Sequence, residues 1–470
     1  MVYWARLKAL ITQIQRSIQR ESLRPSDDRG RQRLVMNNLL FHLHPPKVPA
    51  RTIRFTYTFG LGGLAVLLLF ILGITGFLLM FAYTPSPEFA YRNMIALRTQ
   101  IAFGQLVRNI HYWSSNLLLV VVFLHLLRVF YTSAYRPPRE FNWQLGLSLL
   151  FLTVAASFTG YLLPWDQLAY WAITVVNSII KYVPLIGETS SRLLLGGTEI
   201  NENTLRNFFT LHVFVIPMGF LVIVSYHIWR VRKDKFTLPR DVDDAVILDE
   251  PSAEPSPKIA QGIAYVTTIP YLIAREAVFA LVVMALLLLW SALFNAPLES
   301  AANPNQPPNP AKTTWYFMGL QELLLHFHPF VSAVVIPTMV VVALILLPYR
   351  REDMYSEGVW FRSRRGRRLA MQSFIVGFPA TFLFVLFSEV ANLSETLDFL
   401  PSIISNGVIP LGILVMAIFG YMRFLRARGA TISELRMALF TLLLASFIML
   451  TLIGNLFRGV DMALQLPWGV

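Results

Sequence analysis

The 470-residue chain contains no cysteine. It therefore holds no thiolate-ligated iron–sulfur cluster, no covalently attached c-type haem and no disulfide, and any such centre must sit on another subunit. Charge is also scarce. Asp, Glu, Lys and Arg make up 14% of the residues against 55% hydrophobic, with a mean hydropathy of +0.54, where a soluble domain carries about 25% charged residues. A water-soluble enzyme, a disordered chain, a collagen and a disulfide scaffold are all excluded. Acid is scarcer than base, 27 against 40, for a net charge of +13. In a soluble chain that excess would point to nucleic acid, but here sidedness in a membrane explains it and no nucleic acid is expected.

Nine nearly uncharged stretches are long enough to cross a bilayer, which takes roughly 20 residues each. They lie at 57–82, 109–127, 143–163, 207–229, 277–294, 329–348, 369–388, 403–422 and 437–457. The expected fold class is an all-α polytopic membrane protein. The first stretch has no small-residue cleavage site after it, so it is read as retained and not as a removable signal. Alternating the connections between two sides puts 32 of the 40 Lys and Arg on one side and 8 on the other. That asymmetry places the N-terminus in the cytoplasm and the C-terminus outside. Expected units are a basic arm (1–56), a four-span unit (57–231), a charged, proline-containing cytoplasmic linker (232–273) and a five-span unit (274–470). Residues 1–19 read as an amphipathic basic helix on the membrane surface, and the RSRRGRR run at 362–368 as a topology determinant facing anionic lipid. Three outside connections, 83–108, 164–206 and 295–328, are long enough to suggest function.

Four of the eight histidines fall on two spans, His111 and His125 on the second and His212 and His227 on the fourth. At 100° per residue, the 14-residue step returns to within about 40° and the 15-residue step to within about 60°, so each pair shares one helix face. The two spans run parallel, which sets His111 against His212 and His125 against His227, the two levels roughly 21–22 Å apart. Each opposed pair offers two axial nitrogens to a metal whose other four positions are filled in plane, the requirement of a non-covalent b-type haem. Zinc or copper would need further protein ligands. Gly62 and Gly76 on the first span, and Gly146 and Gly160 on the third, repeat the 14-residue interval. Ordinary helix packing, as with Gly63 and Gly73, is one explanation, but the shared interval favours clearance for a flat macrocycle. His42 with His44, and His326 with His328, sit at span boundaries and are read as interfacial hydrogen-bonding groups.

Through RNIHYWSSN, FLHLLRVF, FTGYLLPWDQLAYWA, FFTLHVFVIP and WYF, residues 50–350 resemble cytochrome b of the Rieske/cytochrome b quinol-oxidising complexes. The 15-residue histidine step and the PWDQ at 164–167 are similar to the chloroplast and bacterial menaquinol branch, here with both halves fused. The resemblance implies a low-potential outer haem on His111 and His212, a higher-potential inner haem on His125 and His227, a quinol-oxidising pocket outside and a quinone-reducing pocket inside. It further implies a Rieske or other high-potential electron-transfer subunit, a c-type cytochrome, lipid and a homodimeric complex in a bacterial inner membrane. Arg108, three residues before His111, fits a haem-propionate partner. The family arginine before the third histidine is replaced by Asn207, with Arg206 one step earlier. The family's Pro-Glu-Trp-Tyr loop reads Thr313, Thr314, Trp315, Tyr316, so the usual carboxylate is missing. Glu322, two helical turns beyond Trp315, is the expected substitute with a pKa raised by apolar surroundings; a surface glutamate is the alternative, and His326 and His328 are rival acceptors. Asp166 either tunes the outer pocket or caps the helix after Pro164. A dihaem membrane anchor for a dehydrogenase would share the four histidines, and a transporter would share the spans.

Overall fold

The structure is a computed structural model that describes residues 2–18, 25–38, 41–239, 264–350, 357–391, 397 and 399–466. Nine helices among these residues are long and apolar enough to cross a membrane: Leu61–Met80, Gly104–Tyr131, Glu140–Leu162, Glu202–Asp234, Thr268–Leu293, Val331–Tyr349, Arg364–Ala391, Ile404–Ala427 and Ile432–Leu456. The chain is an all-α polytopic membrane protein. Each expected stretch corresponds to one span, and local chemistry sets the boundaries. The first begins late because Phe59 and Gly60 turn the chain through the left-handed region (φ 51° and 63°), which glycine tolerates without strain. The fourth begins five residues early because Asn201 and Thr204 form a capping box. Thr431 and Glu434 do the same for the ninth, satisfying backbone N–H groups that would otherwise be orphaned.

The basic arm contributes several described elements that precede the first span. Val2–Ile18 is a helix with Tyr3, Trp4, Leu7 and Ile11 exposed. Lys47–Pro49 pairs antiparallel with Tyr265–Thr267, at the mouth of the fifth span. Residues 240–263 of the expected linker lie outside the described residues. Its ends belong to neighbouring elements: 232–234 extend the fourth span and Thr268 opens the fifth.

Large apolar side chains point outward along the spans, among them Phe70, Phe77, Leu221 and Leu286. Such a surface is stable against lipid and not against water. The ninth span differs, since half of its apolar window is buried within the chain, against at most 28% for any other span. Its Met437 joins Phe130, Tyr131, Tyr135 and Trp143 of the second and third spans and their connection, together with Ala370 of the seventh. Leu450 and Ile453 pack with Val385 against Leu323 of the short Met318–His326 helix. At the end that carries the 164–206 connection, Leu162, Trp165, Ala169, Ile173, Leu195, Leu205 and Phe208 form a separate core.

Candidate functional site

The third and fourth histidines owe their alignment to a local departure from the α-helix. Leu211–Val215, which includes His212, is a π-helical turn inside the fourth span. An i→i+5 ring holds one residue more than an α turn, so the fifteen residues from His212 to His227 wind about as far as the fourteen from His111 to His125. The 60° offset expected from uniform α geometry is corrected accordingly. Pro217, immediately after the π turn, lacks the N–H that an α ladder would use. Two other spans repeat the pattern, with Val331–Val335 before Ile336–Pro337 and Ile404–Val408 before Ile409–Pro410.

His111 and His212 face each other across 6.2 Å between ring centroids, at an interplanar angle of 72°. Two imidazoles bound to opposite sides of one metal at about 2 Å would have centroids roughly 6 Å apart, so the spacing fits. Thr75 Oγ1 donates to Ile71 O (2.7 Å) and lies 2.9 Å from His111 Nδ1. Thr159 Oγ1 donates to Ala155 O (2.8 Å) and lies 3.1 Å from His212 Nδ1. A hydroxyl has one proton, and with it committed to a carbonyl each threonine accepts from Nδ1–H. Both Nε2 atoms are thereby left with a free lone pair, the tautomer a metal requires. His125 Nδ1 is buried with no partner among the described residues, and His227 Nδ1 is buried with the Asn142 backbone beside it.

The four glycines sit one to each histidine. A Cβ on Gly160 would lie 2.5 Å from His212 Cε1, and on Gly76 3.2 Å from His111 Cε1. On Gly62 and Gly146 it would lie 3.6 Å from Cε1 of His125 and His227. The shared interval suggests clearance for a macrocycle edge; the protein atom nearest each glycine is the Cε1 of a histidine ring. Together, the tautomers, the ring spacing and these cradles fit a bis-histidine metal centre at the first pair. At the second pair the fit rests on the cradles.

The expected arginines are held by protein groups. Arg108 is buried and donates to Ala296 O (2.8 Å) and Pro297 O (2.6 Å). Arg206 is exposed and bonded to Asn203 Oδ1 on its own helix, so the structure does not bring it to His212. An interval of six residues puts the two on different faces.

The outer connections are laced together. Asp166 caps the Gln167–Ile180 helix by accepting from Ala169 N (3.0 Å), and its other oxygen accepts from Glu299 N (3.1 Å). Capping is therefore established, and the same carboxylate pins the 295–328 connection. Burial raises its pKa above the usual Asp range, against the two backbone N–H groups, which lower it. Trp315 Nε1 donates to Asn116 Oδ1 (2.7 Å) on the second span, five residues past His111. Burial pushes the Tyr316 phenol up to about 12. Thr314 Oγ1, where the resembled family carries a carboxylate, is buried beside the Tyr316 hydroxyl.

Glu322 departs from both expectations made for it. It is fully buried, which removes the surface-glutamate alternative. The helix begins at Met318, so Trp315 is not on it; Trp315 reaches the second span while Glu322 meets Arg458 Nη2 at 2.5 Å and His326 Nε2 at 3.1 Å. Burial alone would raise its pKa, but the bonds from His326 and Arg458 outweigh it and hold the carboxyl below its usual range. An ionised, doubly paired carboxylate is a poor base near neutrality, which corrects the proton-acceptor expectation. His326 is engaged by the same cluster and by Ser388 Oγ (3.0 Å), and His328 Nδ1 accepts from Phe330 N (3.2 Å). His44 pairs with Glu276 (3.3 Å), while the side chain of His42 lies outside the described residues.

Sequence reasoning missed Thr75, Thr159 and Arg458. The first two had a visible signal, a Thr-Gly dipeptide before each outer glycine, at 75–76 and 159–160.

Residues 48–235 match the family model for cytochrome b/b6/petB. Cytochrome b6 of Heliobacterium modesticaldum is 41% identical over 182 residues, covering 38% of this chain and 84% of that protein. Cytochrome b6 of Prochlorococcus marinus is 37% identical over 179 residues, covering 38% and 82%. A solved structure titled "Hyperthermophilic respiratory Complex III" aligns with a TM-score of 0.60 at 22% identity, over 97% of this chain and 99% of that one. At that identity the likeness is one of fold, and it extends through all nine spans.

Proposed function

The chain belongs to the cytochrome b/b6 family, whose members bind b-type haem and act on quinol, and from that premise we propose that it is the electron-bifurcating core of a quinol oxidoreductase. His111 with His212, and His125 with His227, would hold two b haems, stacked across the membrane. When bound, these groups supply one-electron transfer between the two faces. The carrying observation is the repeated histidine cradle: four glycines each against one histidine, and two threonines fixing the outer tautomers.

The chain's own residues then define two sides. At the outer face, Trp315, Tyr316, Asp166 and the buried Thr314 hydroxyl bound the region proposed to orient quinol. Thr314 can hydrogen-bond a quinol hydroxyl but has no charge change suited to accepting its proton. Quinol gives up two electrons and two protons there. One electron of each quinol leaves to a high-potential partner, a Rieske-type subunit delivering to a c-type cytochrome; the other crosses the chain, so that two quinol oxidations supply the two electrons which, with two protons, reduce one quinone near the cytoplasm. Release of protons on one side and uptake on the other builds a gradient. The basic connections support an N-terminus in the cytoplasm and a C-terminus outside, and the proposed setting is a homodimeric complex in a bacterial inner membrane. A dehydrogenase anchor is not favoured, because it has no use for an outer cap laced through Asp166 and Arg108.

A reduced-minus-oxidised optical spectrum with pyridine hemochrome quantification tests the reading. Two b haems per chain are expected; absence of b-type bands in the purified complex would refute it.

A further inference from the structure

Arg458 lies in the short loop after the ninth span and is the only basic residue beyond Arg436. Its side chain is almost fully buried and every edge is used. Nε reaches both oxygens of Glu322 at 3.1 Å, Nη2 reaches Glu322 Oε1 at 2.5 Å, and Nη1 reaches Met462 O at 2.9 Å and Glu389 Oε1 at 2.7 Å. Nη2 also lies 3.3 Å from His326 Nε2. One guanidinium thus joins three elements: its own loop, the end of the seventh span and the Met318–His326 helix that follows Trp315 and Tyr316.

Two further contacts tie the same loop to the segment before Trp315. Asn309 Nδ2 donates to Asp461 Oδ1 while Asp461 N donates to Asn309 Oδ1, both at 2.6 Å. Lys312 Nζ donates to Asn455 O (3.1 Å) at the end of the ninth span. Residues 313–317 are therefore held on both flanks by one C-terminal loop. The ninth span that delivers this loop is also the most buried of the nine.

We infer that the C-terminal loop at 456–466 is a clamp that sets the position of the quinol-site segment 313–317, with Arg458 as its positioning residue. The inference rests on the quinol reading above. It gives the ninth span a task, holding the outer loop rigid against a core shared with the haem-bearing spans. A paired, buried guanidinium suits the task because loss of one partner leaves an uncompensated charge, so partly opened states are disfavoured.

The test uses the purified full complex, with hydrogen exchange of amides in 308–318 as the direct readout and quinol KM and kcat as the second. Arg458→Gln should raise exchange in that segment about tenfold or more, a loss of local opening free energy, while the spans keep wild-type protection. KM for quinol should rise more than kcat falls, with both haem bands retained. Asn309→Ala, at an exposed site, should produce a smaller change in the same direction. If Arg458→Gln does not assemble, the double variant Glu322→Gln/Arg458→Gln removes both charges and carries the same expectation. Wild-type exchange and KM in the assembled variants would overturn the clamp. If instead the wild type shows neither haem bands nor quinol oxidation, the functional reading fails, and the exchange comparison still decides the clamp.

Discussion

Gly160 stands directly against the ring of His212: a Cβ there would meet Cε1 at 2.5 Å, closer than real Cβ atoms come to such a neighbour. The four cradles form a graded series, tight at Gly160, intermediate at Gly76 (3.2 Å) and in ordinary contact at Gly62 and Gly146 (3.6 Å). Because the interior does not yield freely to added volume, single alanine substitutions should separate. Gly160→Ala should displace His212 and drop haem content to one per chain, while Gly62→Ala and Gly146→Ala keep two. Equal haem content in all the variants would return these glycines to ordinary helix packing.

Each histidine pair should control one haem. His111→Ala or His212→Ala should remove the outer group, and His125→Ala or His227→Ala the inner one, because each iron loses an axial ligand. Haem counted by pyridine hemochrome, with the surviving band assigned by potentiometric titration, checks the pairing. Two haems in purified His125→Ala protein would break it.

Thr75 and Thr159 act through the histidines they touch. Accepting from Nδ1–H makes an imidazole a stronger donor at Nε2 and so favours the oxidised metal. Thr75→Val or Thr159→Val keeps the shape and removes the acceptor. Loss of one hydrogen bond worth about 1 kcal/mol should raise the outer midpoint potential by roughly 40 mV, leaving the inner one unchanged. A downward shift, or equal movement of both, would contradict this role.

The nine spans were legible because length and hydropathy alone decide whether a helix can be solvated by lipid. The pairing of His111 with His212 was legible from spacing. Its angular detail was not, because uniform α geometry has no place for the π turn that contains His212; the Ile-Pro dipeptide after that turn is the mark a reader could have used. Glu322 was misread for a different reason. Its charge state depends on Arg458, 136 positions further along the chain, and no periodicity within the Met318–His326 helix reports a partner from a distant loop. Arg206 came from the resemblance alone, one step from the family's arginine position, and a one-residue displacement on a helix turns a side chain by 100°.

The Glu322–Arg458 pair should give the outer face a defined acid limit. Although burial pushes the Glu322 carboxyl up, the bonds from His326 and Arg458 hold it below 4.5, its usual value. A carboxyl with a folded pKa below its unfolded one contributes stability that is complete above the unfolded value and lost as pH falls through the folded one. Asp166 has the opposite sign: burial raises it above 3.8, so protonation favours its folded form and acid loss cannot be assigned to it. Around the pair, Glu389 and His326 are the other titratable groups in contact. Hydrogen exchange of residues 308–318 should therefore stay flat from pH 7 to about 4.5, after correction for intrinsic rates, and rise only below that. Glu322→Gln/Arg458→Gln, with neither charge of the pair left, should lose this acid step and begin from a higher level. An unchanged acid step in the double variant would remove Glu322 as its origin.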